Sequence, residues 1–246
     1  MGPRLIVAVA AGMLGCSGIA IAGNQLAPPT HPAAQAALRY FESVRERDFE
    51  TLLRELRRPA PSPLFRAVIL ENLPPAGRLS PTNQETAKLA AIKPLLRLHE
   101  WEDSIDLRLF TYGGGAFTGL HARSVLLISR ETLNLLNTAE LVALFGHELG
   151  HDYVWDEFER ARKQADYPRL QELESRCDGI AVIAMARLGV DPDRLISALT
   201  KLLRHNERLG SPDGPNERRY PPVEQRARFI RAMARLTASS PGSRPR

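Results

Sequence analysis

"LVALFGHELGH", residues 141–151, runs from an aliphatic stretch into two histidines that flank a glutamate. On a helix, His147 and His151 lie one turn apart and therefore share a face. Two imidazoles so placed can approach one zinc ion at a Zn–N distance of about 2.0–2.1 Å. Glu148 follows the first histidine directly, so it points beside the metal rather than at it. There it could take a proton from a water that the metal activates. Five residues alone decide little, because the pattern recurs by chance. A catalytic zinc also needs a third protein ligand.

The chain offers one at "ELESRCDGIAVIAMARLG", residues 172–189. Glu174 and Asp178 are again one turn apart. Glu174 can complete a His₂Glu ligand set for one Zn²⁺ per chain. Asp178 can accept a hydrogen bond from the free ring N–H of a bound histidine, with His147 the expected donor, and so fix its tautomer. The competing reading makes the histidines ordinary buried residues and puts Glu174 and Asp178 on a solvated face. Three features weigh against it. Leu141, Val142, Leu144 and Phe145 make the first helix a core helix with polar groups at its end. Gly146 and Gly150 sit inside the motif, although each costs a helix about 1 kcal/mol against Ala. The second pair lies on an equally apolar helix, and buried charges demand a counter-charge.

Around this pair the patterning is mostly helical. Helix signals cover Pro32 to Arg58, with an interruption near Asp48, and a short apolar stretch "LFRAVILENL" between proline clusters. Thr82 and Glu85 form a capping-box pattern opening a helix toward Leu98, which Pro94 bends or splits. Ile105, Leu107 and Leu109 alternate with polar residues as a strand does, and "SVLLIS" (Ser124 to Ser129) reads as a second strand. Gly113, Gly114 and Gly115 and a loop lie between them. Later helices are expected over about Arg130 to Leu136, behind a cap at Thr138, over Pro168 to Leu188, after Asp191-Pro192, and over Val223 to Leu236. The fold class expected is α+β: a mostly helical domain with a small β-sheet beside the motif helix.

Length and composition agree with one substantial domain. Of 246 residues, 43% are hydrophobic and 25% charged. The net charge of +5 comes from arginines that alternate with Glu and Asp along helices, a solvated-face pattern that argues against a nucleic-acid partner. The first residues, "MGPRLIVAVAAGMLGCSGIAIAGN", place Arg4 before an uncharged stretch ending in Ala20-Ile21-Ala22, which reads as an export signal with Ala22 the last residue removed. Two rivals stay open: a retained membrane anchor through the N-terminus, or a lipoprotein box with Cys16 acylated. All three put the protein in the periplasm or outside the cell. The organisation expected is a signal or anchor over 1–22, an N-terminal helical region over 30–100, a catalytic domain over 101–238 and a disordered tail over 239–246. Cys177 is then the one mature cysteine, expected as a small buried packing residue. His99, His121 and His205 lack a partner at ligand spacing and default to surface or structural roles.

From about Gly113 to Arg228 the chain resembles a known family. It is similar to the gluzincin metalloendopeptidases that include the CAAX prenyl endopeptidases and the bacterial HtpX-type and periplasmic quality-control proteases. "AELVALFGHELGH" is similar to their zincin motif helix, and "ELESRCDGIAVIAMARLGVDP" to their glutamate helix. "GAFTGLHARSVLLISRETLNLL" resembles their sheet region, where an edge strand pairs with extended substrate. The resemblance therefore implies Ser124, Val125, Leu126, Leu127 and Ile128 as the substrate-binding edge. Three positions depart from the pattern. Gly115-Ala116-Phe117 stands where Asn-Ala-Phe is usual, His121 and Ala122 replace a glycine pair, and Tyr220 replaces a histidine before Pro221. Tyr220 would either stabilise the oxyanion or serve as a packing residue.

These observations converge on an exported zinc endopeptidase acting on protein or peptide substrates, with envelope quality control as its expected setting. His147, His151 and Glu174 would hold the metal and Glu148 would act as base. The alternatives are a non-proteolytic envelope binding or chaperone-like module with a structural or latent zinc, and a metal hydrolase acting on a non-peptide bond.

Overall fold

The computed structural model describes residues 27–45, 48–111, 115–209 and 219–239. The expected signal, Gly113 and Gly114, and the tail beyond Ser239 lie outside the described residues. Among those described, no helix is long and apolar enough to cross a membrane.

The N-terminal part supplies α1 (Pro32–Ser43), α2 (Phe49–Leu56), α3 (Pro63–Asn72), α4 (Asn83–Ala90) and α5 (Lys93–Leu98). Asp48 both interrupts the first helical run and caps the second, its side chain accepting from Thr51 N–H. The Thr82–Glu85 capping box is present. The run toward Leu98 does break, around Ala91 and Ile92, and Pro94 then falls in the first turn of α5, where its missing N–H costs nothing.

Three strands follow: β1 (Asp106–Leu109), β2 (Thr118–His121) and β3 (Val125–Ile128). The sheet order is β1-β3-β2, with β1 parallel and β2 antiparallel to β3. This overturns the assignment of Ser124 to Ile128 as a substrate-binding edge. β3 is the central strand, bonded on both sides, and Val125, Leu126, Leu127 and Ile128 are fully buried. A strand whose N–H and C=O groups are all paired has none to offer a peptide. Its continuous apolar run is what a strand covered on both faces requires. Leu126 and Ile128 join the main core, while Val125 and Leu127 pack with Phe117, Ile69 and Leu73 beneath α3. The edge on that side is β2, a strand hidden in sequence by its brevity and by Gly119.

The C-terminal half is α6 (Arg130–Leu135), α7 (Thr138–Tyr153), α8 (Trp155–Gln164), α9 (Tyr167–Leu188), α10 (Asp193–Arg208) and α11 (Val223–Ala238). The cap of α7 lies one residue earlier than expected: Asn137 and Glu140 form a reciprocal capping box. Asp191 caps α10 through the N–H of Asp193, with Pro192 as the flanking residue. Gly189 ends α9 in the left-handed conformation, φ 65°. α7 packs on α9, α10 and β2; α9 is flanked by α1, α8 and α11. One apolar core runs from Ala34 through α7 and α9 to Met233.

Candidate metal centre and active site

α7 is buried on every side from Glu140 to Tyr153. Burial of Leu141, Leu144, Phe145 and Leu149, at about 1.5–3 kcal/mol each, fixes the helix in the core. The motif glycines set how closely it meets α9. A Cβ on Gly150 would lie 2.8 Å from Cys177 Cα and 3.0 Å from its carbonyl oxygen. A Cβ on Gly146 would come no closer than 3.3 Å to Ala181. Gly150 is thus the position where two helix backbones nearly touch. The loss of helix propensity that it carries is recovered in that contact.

This approach brings His147, His151 and Glu174 together in one buried group, their ligating atoms all within 4.8 Å of one another. His147 Nε2 is 3.3 Å and His151 Nε2 3.9 Å from Glu174 Oε2. Tetrahedral zinc with bonds of about 2.0–2.1 Å sets its ligand atoms about 3.3 Å apart, so the arrangement needs only a small adjustment to close on the ion. Both Glu174 oxygens are buried without a hydrogen-bond partner among the described residues. Such a carboxylate is costly unless a cation meets it. Two imidazole nitrogens and one carboxylate are the donor set of a catalytic zinc. The residues fit the metal.

The two histidines are oriented by different means. His147 Nδ1 is 2.8 Å from Asp178 Oδ1, as the spacing predicted. Asp178 in turn receives Arg226 of α11 in bidentate fashion, Nε to Oδ2 at 2.8 Å and Nη2 to Oδ1 at 2.7 Å. Burial would raise Asp178, but Arg226 outweighs it and holds the carboxyl at about 2. Burial would likewise lower His147, but its bond to Asp178 and the negative charge of the nearby Glu174 carboxylate hold the ring up at about 9. Zinc binding must displace that proton. His151 is pushed down to about 4, chiefly by burial, so its ring is neutral and ready to ligate. Its Nδ1 faces the thiol of Cys177 at 3.5 Å, and Phe158 packs edge-on against the ring. Cys177 is a fully buried residue, as expected, and burial pushes its thiol up. Sequence reasoning gives Arg226 no role. An arginine on a late amphipathic helix has no local mark that distinguishes it from its neighbours.

Glu148 lies beside the ligands, 1% exposed, with neither oxygen hydrogen-bonded among the described residues. Burial pushes it up to about 7, partly offset by His147. α7 packs along β2, so the sheet edge runs beside the helix that carries the glutamate. Tyr220 lies against Arg226. Its ring centroid is 6.0 Å from Arg226 Cζ, and burial together with Glu174 and Glu148 pushes its phenol up, so it stays protonated. Of the remaining histidines, His99 is fully buried, with Nδ1 2.6 Å from Tyr153 Oη at the end of α7 and its ring stacked on Trp101. Its role is structural. His121 closes β2, at the hairpin turn where Ala122 and Arg123 both take positive φ (48° and 57°). These are conformations that glycine adopts more cheaply. Arg123 spans from that turn to Asp152 and to the Pro59 carbonyl.

Residues 115–165 match the model of Peptidase family M48. No curated protein and no solved structure matches the chain. The matched stretch covers β2, β3 and the helix bearing both histidines, and it stops short of Glu174, which the fold supplies from α9. The similarity to the M48 model over this stretch and the buried His147–His151–Glu174 zinc site together mark the chain as a zinc metallopeptidase, a hydrolase that acts on peptide bonds.

Proposed function

We propose that this peptidase cleaves extended segments of extracytoplasmic proteins as part of envelope quality control, with Glu148 as general base and the edge of β2 as the substrate rail. The observation that carries the mechanistic part is Glu148: two buried oxygens without partners, one residue from a zinc ligand. A carboxylate left unengaged and raised to about 7 is suited to accept and return a proton near neutral pH. Zinc, when bound, polarises the scissile carbonyl and lowers the pKa of the attacking water. Glu148 takes the proton of that water and delivers it to the departing nitrogen. Tyr220, kept protonated, donates its hydroxyl to the carbonyl oxygen as negative charge develops there. Asp178 and Arg226 keep His147 in the Nδ1–H tautomer, leaving Nε2 for the metal.

Support for the extracytoplasmic setting is the export-like sequence over 1–22. Support for unfolded substrates is the burial of the site, which a folded protein surface cannot reach and an extended strand can. The test combines fractionation with cleavage assays. The protein should be recovered outside the cytoplasm, and the purified enzyme should cut reduced, carboxymethylated proteins much faster than the same proteins folded. Cytoplasmic recovery would overturn the setting. Equal rates on folded and unfolded forms would overturn the substrate class. Binding of unfolded protein without cleavage would favour the chaperone-like alternative.

A further inference from the structure

The edge of β2 is not open along its length. In an antiparallel pair the backbone groups point alternately toward and away from the partner strand. Ser129 N–H donates to Phe117 C=O at 3.0 Å, so Phe117 faces inward to β3, as do Gly119 and His121 by alternation. Ala116, Thr118 and Leu120 face outward. α7, the helix that carries Glu148, packs along β2. Ala116 is already paired by the side chain of Asn206, from the last turn of α10. Its N–H donates to Asn206 Oδ1 at 3.0 Å, and its C=O accepts from Asn206 Nδ2 at 2.9 Å. One carboxamide thus satisfies the two atoms that an added strand would use. Asn206 is only 3% exposed, so the bonds are shielded from water. Gly115 leaves the room: a Cβ there would lie 3.3 Å from Asn206 Oδ1. Between the capped and the catalytic ends stands Thr118, whose buried Oγ1 has no partner among the described residues.

We infer that Asn206 is a strand terminator that ends substrate pairing on β2, so that peptide backbone is recognised only between Leu120 and Thr118 on that side of the scissile bond. The inference rests on the peptidase reading with β2 as the rail. At about 3.4 Å per residue, Ala116 lies roughly 13–14 Å along the strand from Leu120. A bound peptide therefore keeps its pairing for two or three residues beyond the cleavage point, meets the amide at about the fourth and must turn away from the sheet. Chain beyond that point adds nothing to binding through the backbone, whatever its side chains. On the other side of the bond β2 itself ends, at His121 and the turn of Ala122 and Arg123.

The test is a set of peptides around one cleaved sequence, lengthened one residue at a time on either side with alanine. For the wild type, kcat/KM should stop rising after two or three residues on the side that runs toward Ala116. In Asn206→Ala the plateau should move outward, with KM for the longest peptides falling about fivefold while kcat and the short-peptide values hold, since one added backbone pairing contributes a factor of that order. Asn206→Asp, which keeps Oδ1 but loses the donor, should fall between. Anisotropy of labelled peptides on Glu148→Gln should reproduce the same length profile in binding alone. Rates that keep climbing past the third residue on the Ala116 side in the wild type would overturn the terminator while leaving the peptidase intact. So would an Asn206→Ala profile that matches the wild type apart from a lower Tm. Peptides neither bound nor cleaved at any length would overturn the β2 rail together with the terminator.

Discussion

The two histidines of the motif sit one turn apart on one helix, yet they are held by opposite means. His147 is fixed by charge, through Asp178 and the bidentate Arg226. His151 is fixed by proximity: Gly150 lets the backbone of α9 come close enough to set the weakly polar Cys177 thiol against its Nδ1. Asp178 and Arg226 form a buried pair that loses heavily when broken. A thiol at 3.5 Å contributes little by itself, and the packing around it contributes most. The difference teaches that the spacing of ligands says little about what orients them.

Breaking the charged side should have the largest effect. Arg226→Met leaves Asp178 ionised and buried without its partner, which costs about 3–5 kcal/mol. Zinc affinity, read by chelator competition, should fall about 10–100-fold. Retained affinity and stability would show that Asp178 alone orients His147. Next comes the close contact. Gly150→Ala should lower stability by about 1–3 kcal/mol despite alanine's better helix propensity, because the new methyl meets α9 backbone. Gly146→Ala, facing a looser contact, should be near neutral in the same denaturation experiment.

A third histidine gives a test by pH. Burial, with Arg57 adding to it, lowers His99 to about 3, against an ordinary 6.5. The unfolded chain therefore binds the proton first. This contribution is complete above pH 6.5 and is lost as pH falls from 6.5 toward 3, by about 1.4 kcal/mol per unit within the window. The Tm of His99→Asn should fall less steeply than that of the wild type between pH 6.5 and 4.5. Parallel slopes would mean that His99 is protonated in the folded protein. The smallest effect is expected for Cys177→Ala, which should weaken zinc binding by no more than about threefold. A loss comparable to that of Arg226→Met would erase the contrast between the two histidines.

What could be read in the sequence follows the same division. His147, His151, Glu174 and Asp178 announce themselves because helical periodicity places each pair on one face, and apolar neighbours say that the faces are buried. The mostly helical fold with a small sheet was readable for the same reason. β2 was not, since four residues with a glycine carry no alternation that stands out. Missing it made β3 look like an edge, although its unbroken run of Val125, Leu126, Leu127 and Ile128 already fits a strand covered on both faces. Arg226 and Asn206 act across long sequence separations. Neither has a local signal, because each takes its role from where α11 and α10 come to rest.

The central claim is that Glu148 does chemistry at a site that His147, His151 and Glu174 hold for zinc. The most direct measurement is zinc content and cleavage of unfolded casein for the wild type beside Glu148→Gln. The account predicts one zinc per chain in both proteins, with cleavage lost by at least about 10²-fold in the variant, the lower range for a positioned general base. Cleavage at the wild-type rate by the zinc-loaded variant would contradict it.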